Sequence, residues 1–315
     1  MHIPDHRVMA EQIPFRVHPM LATLVPQPFN KPGWIYEEKY DGYRILAYKE
    51  GSRVTLVSRN GKDRTHTFSA VADAIRNISA ETLLLDGEVV AFDRHGVSRF
   101  QLLQQGSASL SYAVFDCLYR NGHDLRKAPL SERRAVLQTT VADKGTVFLS
   151  HQLSKNGIQA YEEAKKKGYE GLVAKDLASP YVEQRSTKWL KVKVHQEEEF
   201  VIAGYTAPTG TRICFGALLL GAYSGDRLVF VGKVGTGFSR KTLRSLFGQF
   251  QPLIRKTPSL VDPPRETGLT HLRPKLVAQI AFEEWTADRK LRQPVFLGLR
   301  DDKRPEECRV PETQR

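Results

Sequence analysis

The chain has 315 residues, 41% hydrophobic and 26% charged, a composition that excludes a disordered or collagen-like polypeptide and leaves room for two packed domains. Lys and Arg outnumber Asp and Glu by 47 to 35, for a formal charge of +12, and the resulting positive field points to a polyanionic partner, nucleic acid first. Cys117, Cys214 and Cys308 lie too far apart for CxxC zinc pairs or a disulfide framework, and no apolar run suits a membrane span or signal peptide. A soluble, cytoplasmic protein without a membrane partner is expected.

Up to Val194, strand-like and helix-like segments alternate. β-branched and aromatic enrichment predicts strands at Arg53–Ser58, Thr82–Phe92 and Ser111–Leu118. Between them Phe68, Val71, Ala72, Ile75 and Ile78 recur at helical spacing, and a second helix begins at Ser131, with Glu132 suited to its positive end. A third spans Gly157–Lys167 and stops at Gly168, where glycine can turn left-handed. After the acidic run Glu197–Glu199, glycine-punctuated strands are expected at Phe200–Thr206, Phe215–Tyr223 and Leu228–Val234. A helix at Arg240–Phe250 and a further strand-like stretch at Leu276–Trp285 follow. Strands, one helix, then strands suit a small oligonucleotide-binding barrel. The boundary is placed near His195, giving domains 1–194 and 195–315.

No GxxxxGK[ST] phosphate loop is present, Gly235-Thr236-Gly237 lacks the third glycine of a dinucleotide fingerprint, and there is no HExxH. His2 and His6 have i,i+4 spacing but sit on a terminus that is expected to fray. The informative segment is Glu37-Glu38-Lys39-Tyr40-Asp41-Gly42-Tyr43-Arg44, which by itself reads equally well as a solvated turn. Four others follow it in order: Leu85-Asp86-Gly87-Glu88, Phe115-Asp116, Glu170-Gly171-Leu172-Val173-Ala174-Lys175 and Trp189-Leu190-Lys191-Val192-Lys193.

In this order and rough spacing the segments resemble the covalent nucleotidyltransferase superfamily, whose nucleophilic lysine lies in KxDG. Arg292–Lys303, Ser58–Asp63 and Val234–Phe238 extend the likeness. They resemble the ATP-dependent DNA ligase module of bacterial non-homologous end joining, ligase D type, over about residues 18–305. The resemblance implies an α+β fold: a nucleotidyltransferase (adenylation) domain with antiparallel sheets and flanking helices, followed by an oligonucleotide-binding β-barrel. It also implies three in-line displacements at phosphorus. Lys39 takes AMP from ATP, AMP passes to the 5′-phosphate of a nick, and the 3′-hydroxyl attacks that phosphate and expels AMP.

The chemistry constrains the residues. A lysine with a pKa of about 10.4 is neutral in roughly one molecule in 2,500 at pH 7, so Lys39 needs help from positive charge or desolvation. Lys191, Lys193 and a divalent metal are the expected sources, and they would also bind the α-phosphate. By resemblance, Glu88 contacts ribose or orients metal and Glu170 supports a metal, with Mg²⁺ or Mn²⁺ suited to oxygen ligands. Phe115 and Val173 cover the two faces of adenine, and Lys175 joins the nucleotide site. Glu37 is the expected acceptor of adenine's exocyclic amine, where guanine presents a carbonyl. Arg44 and Arg59 suit the 5′-phosphate of the nick, with Arg44 also assigned to the nucleotide. Arg292, Arg300 and Lys303 resemble the set that orients the β and γ phosphates of ATP.

The expected substrate is nicked duplex DNA and the expected state a monomer. A DNA-end-binding Ku partner is implied by resemblance only. The chain's length suggests a catalytic core, with polymerase and nuclease functions on separate proteins. An RNA ligase or RNA-capping nucleotidyltransferase would share KxDG, and a non-catalytic protein holding DNA ends would share the charge.

Overall fold

A computed structural model describes residues 12–105, 109–142, 145–194 and 196–311. His2, His6 and His195 lie outside them. The chain divides into two compact units, 1–194 and 195–315.

The first unit contains, in order, strands β1 (Leu21–Leu24), β2 (Trp34–Glu38), β3 (Tyr43–Glu50) and β4 (Arg53–Ser58), helix α1 (Ser69–Arg76), β5 (Thr82–Ala91), α2 (Phe100–Gln105) and β6 (Leu110–Arg120). Then come β7 (His123–Asp124), α3 (Leu130–Thr140), β8 (Val147–Leu149), α4 (Gly157–Lys167), β9 (Gly171–Asp176) and β10 (Arg185–Lys193). They form two sheets: β1-β10-β9-β2, and β4-β3-β5-β6-β7 with β8 paired to β6. Most pairings are antiparallel; β1 with β10 and β6 with β8 are parallel. The apolar stripe of α1 (Val71, Ala72, Ile75) packs against Ile45, Leu56, Leu83 and Leu85 of the larger sheet. Helix α4 has the predicted limits: Asn156 accepts from the N–H groups of Ile158 and Gln159 at its start, and Gly168 at φ 74° ends it.

The second unit contains β11 (Glu197–Thr206), β12 (Leu218–Ser224), β13 (Arg227–Val234), α5 (Arg240–Phe250), β14 (Ile254–Arg255), β15 (Leu269–Leu272), β16 (Val277–Ala281) and β17 (Val295–Leu299). Pairings run β13-β12-β11-β16-β17, and a bridge between Thr236 and Val295 turns that run back on itself. This is the connectivity of a small barrel. Its core takes Leu243, Leu246 and Phe250 of α5 together with Phe200, Ile202, Leu218, Leu220 and Ile280.

Three sequence expectations need correcting here. The strand expected at Phe200–Thr206 begins three residues earlier: the acidic run Glu197–Glu199 is the start of β11, paired with Gln279–Ala281. Phe215 precedes β12 and is buried in the core. Of Leu276–Trp285 only Val277–Ala281 is strand.

Candidate active site

The KxDG segment joins the two sheets of the first unit. β2 ends at Glu38 and β3 begins at Tyr43, so Lys39–Gly42 carries the chain from one sheet to the other. Backbone bonds fix the crossing: Lys39 N–H donates to the Gly171 carbonyl at 3.0 Å, and Glu38 N–H to the His151 carbonyl at 3.0 Å. Asp41 is buried; its N–H donates to Ser98 Oγ at 3.0 Å and its Oδ2 accepts from Phe100 N–H at 2.9 Å. The aspartate of KxDG therefore ties the crossing to the start of α2.

The glycines of three segments mark places without room for a side chain. A Cβ on Gly42 would lie 2.2 Å from the Val89 carbonyl oxygen, one on Gly87 2.5 Å from that of Ala113, and one on Gly171 2.1 Å from that of Val192. Each neighbour is backbone on an adjacent strand, which cannot yield.

Strand register brings the predicted residues together. In the smaller sheet Glu37 is opposite Val173, Val173 opposite Lys191, and Gly171 opposite Lys193, so Glu37, Val173 and Lys191 form one row. Residues directly opposite across a ladder share a face. The next row is Ile35, Lys175 and Trp189. In the larger sheet Arg44 is opposite Glu88.

Lys39 Nζ forms an ion pair with Glu170 Oε2. Burial pulls the pKa of Lys39 down, but Glu170, Asp41 and Glu88 more than reverse it, and the ammonium is favoured beyond the ordinary lysine range. The expected depression of this pKa is thus absent from the resting site, because three carboxylates act on Lys39. Burial raises Glu170, and Lys39, Lys193 and Lys191 outweigh that, so its carboxyl sits below the usual range and stays ionised. Lys191 and Lys193 do act in the same cluster, but on Glu170.

Two residues before Lys39, Glu37 is 1% exposed. Its Oε1 accepts from Arg134 of α3, and its Oε2 from Lys175 Nζ at 2.6 Å and Ser150 Oγ at 3.4 Å. Lys175 is buried, which holds its pKa below the ordinary lysine value despite Glu37. Its Nζ lies 4.3 Å from the ring centroids of both Phe115 and Trp189. Arg44 Cζ lies 4.4 Å from the Phe115 centroid, and Trp189 meets that ring edge-on at 6.1 Å. The expected aromatic shelf is consequently a covered, 8% exposed ring. Arg44 makes a fork to Asp86, Nε to Oδ1 at 2.5 Å and Nη2 to Oδ2 at 2.6 Å, and Tyr181 Oη donates to Asp86 Oδ2 at 2.7 Å.

Arg59 lies in the turn after β4, partly exposed. In the second unit, Arg300 is buried and binds Asp302 through Nε at 2.8 Å and Nη2 at 2.9 Å, and Gln279 at 3.2 Å. Lys303 pairs with Glu199 at 3.3 Å, and exposed Arg292 with Glu284 at 2.8 Å and Glu283 at 3.4 Å. Each basic residue expected at the triphosphate thus has an acidic partner within its own unit.

Sequence reading missed Arg133 and Arg134. Arg133 makes a fully buried fork to Asp116, at 2.8 and 2.9 Å, and donates to the carbonyls of Ala128 and Ser179. Adjacent arginines on a helix read as solvated charge, and no local pattern distinguishes them.

Among the described residues no cluster of three or more His, Cys, Asp or Glu side chains suits a metal. The donors present are the carboxylates of Glu88 and Glu170, both acting on Lys39. One or two carboxylates completed by substrate phosphates and water is what Mg²⁺ accepts, and oxygen donors of this kind suit such an ion. Among the described residues no helix is long and apolar enough to cross a membrane.

Residues 19–193 match the model of the ATP dependent DNA ligase domain and residues 211–303 that of the ATP dependent DNA ligase C terminal region. The multifunctional non-homologous end joining protein LigD of Pseudomonas aeruginosa is 38% identical over 304 residues, covering 92% of this chain and 36% of that protein. LigD of Mycolicibacterium smegmatis is 36% identical, covering 92% of this chain and 39% of that protein. The chain thus spans little more than a third of the length of these curated relatives. The solved structure of mycobacterial DNA ligase D complexed with ATP and MES has a TM-score of 0.72 and 32% identity, covering 94% of this chain and 98% of that one. With both units matched and the lysine-bearing crossing in place, the chain belongs to the ATP-dependent DNA ligase family.

Proposed function

We propose that the protein seals 5′-phosphate/3′-hydroxyl nicks in duplex DNA, with Lys39 as the carrier of AMP. The observation that carries this reading is the convergence on Lys39 of Glu170, Glu88, Asp41 and, through Glu170, of Lys191 and Lys193. In this reading residues 1–194 form the adenylation domain and residues 195–315 the oligonucleotide-binding domain.

The resting ion pair assigns a role to Glu170 before chemistry. It holds Lys39 as an ammonium, which is unreactive; the nucleophile appears when this carboxylate finds another cation and the proton leaves. Glu88 and Glu170 would hold Mg²⁺ or Mn²⁺, which when bound supplies positive charge to the α-phosphate and competes for Glu170. Lys39 Nζ then attacks the α-phosphorus, a P–N bond forms, the P–O bond to pyrophosphate breaks, and a lysyl phosphoramidate of AMP results. Lys191 and Lys193 bind the α-phosphate oxygens as their charge builds. AMP next passes to the 5′-phosphate, leaving Lys39 free, and the 3′-hydroxyl displaces AMP to close the strand.

Val173 lies beside Glu37 in the ladder, where it can cover one face of the base, and Glu37 accepts from adenine's amine. The ring of Phe115 serves the opposite face once Arg44 or Lys175 moves from it. Arg44 and Arg59 bind the 5′-phosphate, and Arg292, Arg300 and Lys303 the β and γ phosphates; Arg44, Arg292, Arg300 and Lys303 each leave an acidic partner to do so. The LigD relatives are named for non-homologous end joining, and in an end-joining role the partners would be Ku and a separate polymerase or nuclease. Incubation with nicked DNA or nicked RNA, ATP and metal tests the substrate: sealing of DNA is expected, and sealing confined to RNA would contradict it.

A further inference from the structure

Helix α3 carries two consecutive arginines that do different work. Arg133 pins the helix to Asp116 of β6 and is fully buried. Arg134, 14% exposed, extends to Glu37 of β2, and its Nη2 also lies 3.4 Å from Gln152 Oε1.

We propose that Arg134 is a positioning residue for base selection: by holding Glu37 Oε1 it keeps this carboxylate shared between two cations and aimed at the 6-position of the purine. This rests on the reading of Glu37 as the acceptor from adenine's amine. A carboxylate offers about four lone-pair positions. Arg134, Lys175 and Ser150 fill three at Glu37, which leaves one for the N–H of an amino group. A purine with a carbonyl at position 6 would set oxygen against that carboxylate. Lys175 is a donor only, and would favour such a carbonyl if Glu37 did not engage it.

Without Arg134, Glu37 is free to swing toward Lys175 alone. The acceptor place is then no longer fixed, and the barrier against a 6-carbonyl weakens. The effect falls on nucleotide binding, since Arg134 bears on Glu37, the acceptor for the base in the proposed function, whereas Lys39 pairs with Glu170.

The experiment uses the full chain and measures single-turnover lysine adenylylation with ATP and with ITP, which differs from ATP at position 6, in wild type, Arg134→Ala, Arg134→Gln and Arg134→Lys. Melting temperatures identify folded variants, and Arg134→Gln replaces Arg134→Ala if the latter does not fold. We expect Arg134→Ala to raise KM for ATP about tenfold with kcat within about threefold, and to cut the ATP-to-ITP preference about tenfold. Arg134→Lys, which keeps a charged donor, should retain most of the preference. An unchanged preference in Arg134→Ala, or a loss confined to kcat, or Arg134→Lys as unselective as Arg134→Ala, would overturn the proposal while leaving lysine adenylylation intact. A wild type that takes up no AMP would instead overturn the functional reading on which it stands.

Discussion

At Lys39 the physical question is how a lysine held as an ammonium becomes a nucleophile. Glu170, Asp41 and Glu88 raise its pKa, so removing one carboxylate must lower it. Glu170→Gln should therefore make the resting Lys39 amine react faster with an amine-selective acylating reagent between about pH 8 and pH 10, read as labelling of Lys39 by mass spectrometry. The same variant should lose AMP transfer, on the order of 100-fold or more, because the charge it removes is also the one offered to metal. Slower acylation of Lys39 in Glu170→Gln would show that the carboxylate does not control this proton. The KxDG segment that carries Lys39 stood out in the sequence through its ordered companions. The sign of its pKa shift was not, because spacing does not reveal that Glu170 contacts its Nζ while Lys191 and Lys193 act on Glu170.

The elements show why the short segments have the residues they do. Gly42, Gly87 and Gly171 stand where a neighbouring strand's carbonyl leaves no space for a Cβ, whereas Gly248 of α5 has nothing within 4 Å. Gly42→Ala and Gly171→Ala should each destabilise the protein by about 1–3 kcal/mol or more, and Gly248→Ala should stabilise it by roughly 0.5–1 kcal/mol. Urea denaturation distinguishes the two directions, and a stabilising Gly42→Ala would refute the packing argument. Breaking the buried fork with Asp116→Ala should cost about 3–5 kcal/mol by stranding the Arg133 charge. Strong periodicity made α1, α4 and α5 legible, and turn glycines marked several strands. The smaller sheet's β2, β9 and β10 were visible as chemical segments and not as strands. Their rows mix charged and apolar residues on one largely buried face, with Glu37 and Lys175 buried beside Ile35 and Trp189, so the usual pattern of polar out and apolar in is lost. The acidic run opening β11 misled for the opposite reason: Glu197–Glu199 looks like solvated chain, but pairs with β16.

For the whole molecule, the surplus of 47 basic over 35 acidic residues predicts that affinity for nicked duplex falls steeply with salt. Log K should decline against log salt with a slope of about −0.9 per phosphate contacted, and salt-independent binding would contradict a phosphate-led interface. In the second unit, Lys303→Ala should slow lysine adenylylation on the order of 10- to 100-fold through loss of a phosphate contact, and should leave sealing of a pre-adenylated nick, which needs no triphosphate, within about threefold. Equal losses in the two assays would place Lys303 elsewhere in the reaction. The barrel connectivity was anticipated from the texture after residue 196. The acidic partners of Arg292, Arg300 and Lys303 were not, since Glu199 and Lys303 lie far apart in the chain and meet only through folding.

Everything proposed for the reaction depends on Lys39 as the carrier of AMP. The decisive measurement is to incubate the full chain with α-labelled ATP and Mg²⁺ or Mn²⁺, denature it and map the label. Acid-labile AMP is expected on Lys39 in the wild type and none in Lys39→Ala. Label retained by Lys39→Ala, or no label on the wild type with either metal, would show that Lys39 is not the carrier.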